Sequence, residues 1–416
     1  MSDSISHKNI VCPFCSLHCD DINLEINDRK ISIKSDLPEV CADKYKMFNF
    51  KENKISQSKI LGKSVDGNKA NVYCQKLINS SKETILVNHS SDVNITREIL
   101  GTASKINGIV DHSNSDKFLK NVALYQRRGY MATSLTEIKN KSDVVLLFSN
   151  NVLQSYPRLI EKVLATKNSF SINPKDKKIF IIGNEKTNKK NCHHLRDTRI
   201  TFIDFNNKEA SSFLQCLKDK SKHPKVKNLK SKLLLESIDK SKYLSLLWST
   251  SEFTKYKECD QIIYDISEFI TSLNETKRAG CMSLAGNDGD VSHVQTLGWI
   301  TGFPSRVKFT GNYFEYDKDT NNANKLINMN CCDLVIHINA ISDKKLFLHK
   351  KQKNIIIGHP ATKFNIEPDV FIPSSVPGID SKGHIFRTDN VVSLPLSRIR
   401  IPFHKSVQEI LRQIIH

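Results

Sequence analysis

Continuous apolar runs of three to six residues, rich in β-branched side chains, recur along this chain with helix-length segments between them. Thr84-Ile85-Leu86-Val87, Gly108-Ile109-Val110, Asp143 to Phe148 and Lys178 to Gly183 lack polar alternation, so strands made from them must be buried on both faces. Strands of that kind belong to parallel sheets, and parallel neighbours need a crossover of a dozen or more residues. Asn94 to Lys105 and Ser155 to Ala165 are long enough to supply it. The pattern resumes further on. Tyr243 to Trp248 and Cys259 to Ile263 have strand character, Ile266 to Lys277 reads as a helix, and Asp333 to Ile338 and Asn354 to Gly358 are further buried-type strands. The fold class is α/β, doubly wound.

Five stretches follow from shifts in pattern. Residues 1–50 read as a small Cys-rich β module, in which Asp21 to Ile26 and Lys30 to Lys34 alternate about the turn Asn27-Asp28-Arg29 and so form a hairpin. Residues 51–205 make a first α/β unit. Residues 206–242, rich in Lys and Ser and containing Pro224, read as a linker or helical insertion. Residues 243–367 make a second α/β unit. The last stretch, 368–416, turns to short strands and Gly/Pro turns that complete the fold.

At 416 residues the chain can build more than one core. No apolar run approaches the roughly 20 residues that cross a bilayer, and the start lacks secretory and transit patterns, so a cytoplasmic location is expected. The net charge of +18 would favour acidic partners. Its basic residues are spread along the chain, however, and the densest run, Lys218 to Lys232, has no interleaved aromatics, which argues against nucleic acid.

Chemistry concentrates at the N-terminus. Cys12, Cys15 and Cys19 form a C-x2-C-x3-C run, and Cys41 follows the hairpin. Thiolates are soft ligands, and this spacing suits a four-iron cluster, with zinc or an empty site as alternatives. The other seven of the eleven cysteines, Cys74, Cys192, Cys216, Cys259, Cys281, Cys331 and Cys332, lie singly or paired in apolar segments and read as buried hydrophobes. The adjoining His193-His194 pair reads as a surface feature. Dinucleotide, P-loop and zinc-protease motifs are absent from the sequence. Two glycine-punctuated stretches, Gly280 to Phe309 and Pro377 to Asp389, have the composition of loops that approach a ligand or another protein chain.

Together these segments resemble the B subunit of formylmethanofuran dehydrogenase, and most closely the related B subunit of the bacterial formyltransferase/hydrolase complex. The carriers are Cys12 to Ile22 (CPFCSLHCDDI), Gly129 to Val144 (GYMATSLTEIKNKSDV), Tyr156-Pro157-Arg158, Trp299 to Phe309 (WITGFPSRVKF) and Pro377 to Asp389 (PGIDSKGHIFRTD). The resemblance implies a molybdopterin-oxidoreductase-like fold with an N-terminal four-iron cluster at Cys12, Cys15, Cys19 and Cys41. It also implies a tungsten or molybdenum pterin, held in the family by a Cys or selenocysteine. Here the corresponding loop is Asp111 to Phe118, with Lys117 or a neighbour at the ligand's place, and no Cys occurs between Cys74 and Cys192. An ammonium is no substitute for a thiolate, so this departure argues against the pterin metal.

What the resemblance then implies is a scaffold subunit of a complex that moves formyl groups from tetrahydromethanopterin to a methanofuran-like carrier and hydrolyses them to formate. Its partners would be a formyltransferase, an amidohydrolase-type subunit and a C subunit, with neither nucleic acid nor membrane. The alternative is an active dehydrogenase subunit with cluster and pterin. Arg127, Arg128, Asn287 and Arg306 are the expected cofactor or carrier contacts, and no catalytic residue is assigned.

Overall fold

The structure, a computed structural model, describes residues 5–27, 30–35, 37–49, 57–167, 169–192, 197–285, 289–311 and 313–415. Two compact units emerge, one of Met1–Leu37, Ala42–Ser115 and Asn287–His416, the other of Pro38–Cys41 and Asp116–Gly286. The boundaries drawn at 205 and 242 fall within the continuous stretch Asp116–Gly286 of the second unit.

A nine-stranded sheet organises the first unit. Its centre is five parallel strands, ordered Ile109–His112, Thr84–Ser90, Leu334–Asn339, Lys353–Gly358 and Val370–Pro373. Antiparallel hairpins close both edges: Val307–Thr310 with Tyr313–Tyr316, and Ser58–Ile60 with Lys63–Val65. Successive side chains point to opposite faces, so each central strand feeds two cores. Leu86, Val110, Ile336, Ile338, Ile355 and Ile357 join one apolar cluster, while Ile85, Val87, Ile109 and Val335 join another. The larger cluster is covered by the helices Gly67–Ser80, Val93–Ile106 and Val407–Ile415, which bury faces such as Ile95, Ile99 and Ala103 or Ile410, Leu411 and Ile414 at 3.6-residue spacing. The N-terminal sheet is antiparallel, with Ile5–Ile10 added to the expected hairpin of Ile22–Asn27 and Lys30–Ile33. Asp28 and Arg29, in its turn, lie outside the described residues.

In the second unit all five strands are parallel, ordered Ile200–Asp204, Lys178–Gly183, Val144–Phe148, Tyr243–Trp248 and Arg278–Ser283. Leu146, Phe148, Phe180, Leu246 and Trp248 lie in its core. Two expectations change here, and a third stretch takes the helical of its two readings. Cys259 to Ile263 is not a strand but the first turn of a helix, Cys259–Leu273, whose Ile262, Ile266, Phe269 and Ile270 face the core. Ser155 to Ala165 is no single crossover helix: it holds the end of a short helix, Val152–Ser155, and a π-helical turn, Ile160–Leu164. The Lys-rich stretch 206–242 carries two helices, Ala210–Lys218 and Asn228–Lys240, whose Phe213, Leu214, Leu234 and Ile238 enter the core. Its lysines sit on the opposite, solvated faces, which masks the apolar period in composition.

Among the described residues no helix is long and apolar enough to cross a membrane.

Candidate functional site

In an open parallel sheet, ligands bind beyond the carboxyl ends of the strands where neighbouring crossovers run in opposite directions. In the first unit that place lies between Thr84–Ser90, whose chain continues to Ile109–His112 on one side, and Leu334–Asn339, which continues to Lys353–Gly358 on the other. The apolar runs end in polar residues there: Asn88-His89-Ser90-Ser91-Asp92, Asp111-His112 and Asn339.

A buried hydrogen-bond network fills this edge. Asp92 caps the helix Val93–Ile106, accepting the Ile95 N–H at 2.9 Å and the His384 N–H at 3.0 Å. Burial pushes its carboxyl above the usual range. The Asn88 amide nitrogen donates to Ser91 Oγ at 2.7 Å and lies 3.1 Å from His293 Nδ1, while Nε2 of that ring is 3.1 Å from Ser305 Oγ. Ser305 in turn donates to Asp111 Oδ1 at 2.9 Å. Asp111 also accepts the backbone N–H of His112 at 2.8 Å and of Ala323 at 3.0 Å. Arg306 Nε stands 3.5 Å from its other oxygen, and Arg306 donates to Ser115 Oγ at 3.0 Å and to the Lys318 carbonyl. Burial raises the Asp111 carboxyl and the Arg306 charge opposes that rise. Desolvation holds His293 at about 3, so its imidazole is neutral.

Two backbone features shape the edge. Arg306 has φ +56°, a left-handed conformation that costs a long side chain energy and concentrates at functional sites. Gly289, at φ +75°, leads into the helix Asp290–Thr301 that carries His293, and a Cβ there would stand 1.9 Å from the Ser91 carbonyl oxygen. Only glycine lets the two loops approach this closely.

The cysteine turn is closed by the Cys12 N–H donating to the Cys19 carbonyl at 2.9 Å and by the His18 N–H donating to the Cys15 carbonyl at 2.8 Å. His18 is buried, its Nδ1 lies 3.0 Å from the Cys12 carbonyl, and burial lowers it to about 4. Thr388 N–H to the Ser16 carbonyl, at 2.8 Å, ties the turn to the Pro377 to Asp389 loop. Cys12, Cys15 and Cys19 belong to the first unit, and Cys41 to the segment Pro38–Cys41 of the second. Among the described residues no group of three or more His, Cys, Asp or Glu side chains could hold a metal ion. The four thiols have the soft-donor chemistry that a cluster takes. A pterin metal does not suit the residues at the carboxyl edge: Asp111 to Ser115 and Arg306 are hard, mutually bonded groups with no sulfur among them.

Of the other expected contacts, Arg128 is committed to Glu268 and to the Tyr264 hydroxyl at 2.7 Å, both within the second unit. Arg127 is exposed and makes no ion pair among the described residues. Asn287 lies outside the described residues, as do His193 and His194. Arg306 holds Asp111 in place. Five of the remaining cysteines, Cys74, Cys192, Cys259, Cys281 and Cys332, are buried, and burial pushes the thiols of Cys74, Cys192 and Cys332 up to about 12. Cys216 is half-buried and Cys331 exposed.

Two sheets, one wholly parallel and one parallel at its centre, with a small N-terminal sheet define a doubly wound α/β protein. No family model matches the chain. Its curated relatives include the B subunit of the tungsten-containing formylmethanofuran dehydrogenase 2 of Methanococcus maripaludis, 22% identical over 406 residues and 92% of each chain. The protein of the same description from Methanocaldococcus jannaschii is 21% identical over 405 residues, again 92% of each. Among solved structures, a chain of the formyltransferase/hydrolase complex from Methylorubrum extorquens, in complex with methylofuran, superposes with a TM-score of 0.69 at 16% identity. That match covers 86% of this chain and 97% of the other, and it shows the fold. The resemblance drawn from the sequence is borne out over nearly the whole chain.

Proposed function

We propose that this chain is the B-type subunit of a complex that transfers and hydrolyses formyl groups in tetrahydromethanopterin-linked one-carbon metabolism, and that its role there is a scaffold without redox chemistry of its own. The observation that supports this is the Asp111–Arg306 network. It occupies the carboxyl edge where a soft-ligated pterin metal would need a thiolate, and every donor around it is a hard oxygen or nitrogen. Length-matched relatives from a dehydrogenase and from a formyltransferase/hydrolase complex support the assignment to a formyl-handling assembly. In this reading its partners are a formyltransferase, an amidohydrolase-type subunit and a C subunit, the carrier is methanofuran-like, and Cys12, Cys15, Cys19 and Cys41 carry no electrons.

Elemental analysis of the complex purified through this chain tests the proposal. Tungsten and molybdenum should each fall below about a tenth of an atom per chain, with transferase and hydrolase subunits co-purifying. Stoichiometric tungsten or molybdenum, with iron–sulfur subunits in the preparation, would instead establish the dehydrogenase.

A further inference from the structure

A cleft of about 1100 Å³ opens in the first unit beside the helices Val93–Ile106 and Val407–Ile415. Its charges are unevenly committed. Glu98 accepts two bonds from the Arg412 guanidinium at 2.9 and 2.6 Å, Asp380 is paired with Arg400 at 2.6 Å, and Glu409 accepts from the Ser406 N–H and hydroxyl at 2.7 Å each. Every carboxylate lining the cleft is therefore neutralised or bonded. Arg97, Lys382 and Arg398 line the same cleft and have no ion pair among the described residues. The first turns of both helices also line it, through Asn94 and Gln408, and add partial positive charge.

An independent observation points to a ligand. Ser375, at the carboxyl edge of the sheet, lines the cleft at 3% exposure, and its Oγ has no hydrogen-bond partner although its N–H donates to the Lys405 carbonyl at 2.9 Å. A buried hydroxyl left unpaired is costly unless something that enters the cleft accepts from it.

We propose that this cleft binds a small polyanion, a metabolite with two or more carboxylate or phosphate groups, held by Arg97, Lys382 and Arg398 and accepting a hydrogen bond from Ser375. The site does not depend on the formyl-handling role. Guanidinium groups recognise both anion types in bidentate fashion, so the shared chemistry is the multiple negative charge.

Calorimetric titration of the full chain with citrate and with pyrophosphate tests it. One saturable site is expected for at least one probe, and the tighter probe identifies the anion type. The paired substitution Arg97→Gln/Arg398→Gln should weaken binding by tenfold or more, and Ser375→Ala by about threefold, as loss of charge-assisted and neutral hydrogen bonds predicts. Arg97 and Arg398 are both exposed, so these variants should melt as the wild type does. Lys257→Gln, an exposed lysine of the second unit, should bind normally. No saturation with either probe, unchanged binding in the paired variant, or equal weakening in Lys257→Gln would each overturn the site.

Discussion

Asp111 and Arg306 share a buried space in which neither charge is tolerable alone. Their distance of 3.5 Å is long for a direct ion pair, and each spends its remaining capacity on Ser305, Ser115 and backbone groups. Removing one partner leaves the other charged and unpaired, which costs more than the pair itself contributes. Asp111→Ala should therefore lower unfolding stability by about 3–5 kcal/mol, measured by urea denaturation. The volume-conserving double change Asp111→Leu/Arg306→Met should cost markedly less than the two single variants added together. A double change that costs their full sum would show that the two residues do not form one unit.

At the scale of elements, the second unit is fastened by a carboxylate at its own switch point. Glu252 follows the strand Tyr243–Trp248 and accepts the N–H groups of Asn150 and Asn151, both at 2.8 Å, just beyond the strand Val144–Phe148. It joins the carboxyl edges of the two strands at which this sheet switches direction. Glu252→Gln keeps one good acceptor and turns an amide group toward a donor, so about 1–3 kcal/mol of stability should be lost. Amide exchange at Asn150 and Asn151 should accelerate more than exchange at Leu146. The strands themselves were legible because burial on both faces leaves continuous apolar runs such as Val144–Phe148. Arg278–Ser283 was not, since Arg-Ala-Gly-Cys-Met-Ser carries no β-branched signal. Cys259 to Ile263 misled because a five-residue apolar run does not reveal its period, which emerges only with Ile266, Phe269 and Ile270. For the site, the polar tail Asn88 to Asp92 announces a sheet edge, and the glycine-punctuated stretch Gly280 to Phe309 announces a special segment, though much of it is the helix Asp290–Thr301 rather than a loop. That Ser305 and Asp111 would meet across 194 positions of sequence is a tertiary fact that no local pattern carries.

Over the whole molecule, the first unit buries histidines in the neutral state. Desolvation lowers His18 and His337 to about 4 and His293 and His359 to about 3, against an ordinary 6.5. Below pH 6.5 the unfolded chain takes up protons at these positions while the folded chain does not. Protons thus favour unfolding, and stability falls as pH drops from about 6.5 toward 4, with the histidine contribution fully retained above 6.5. Asp92 and Asp111 act in the opposite sense, because burial raises their folded values: they favour the folded state at low pH and lose that contribution as pH rises through those values. A single wild-type pH profile mixes the two effects. Comparison with His337→Gln separates them, since glutamine does not titrate and can still bond Asn354, which the ring approaches at 3.2 Å. Urea midpoints measured from pH 4.5 to 7.5 should decline steeply on the acid side for the wild type and less steeply for His337→Gln, and the two curves should run parallel above pH 6.5. Parallel curves throughout would mean that His337 takes up its proton as readily in the folded protein as in the unfolded chain, and with it that the interior around this strand admits charge.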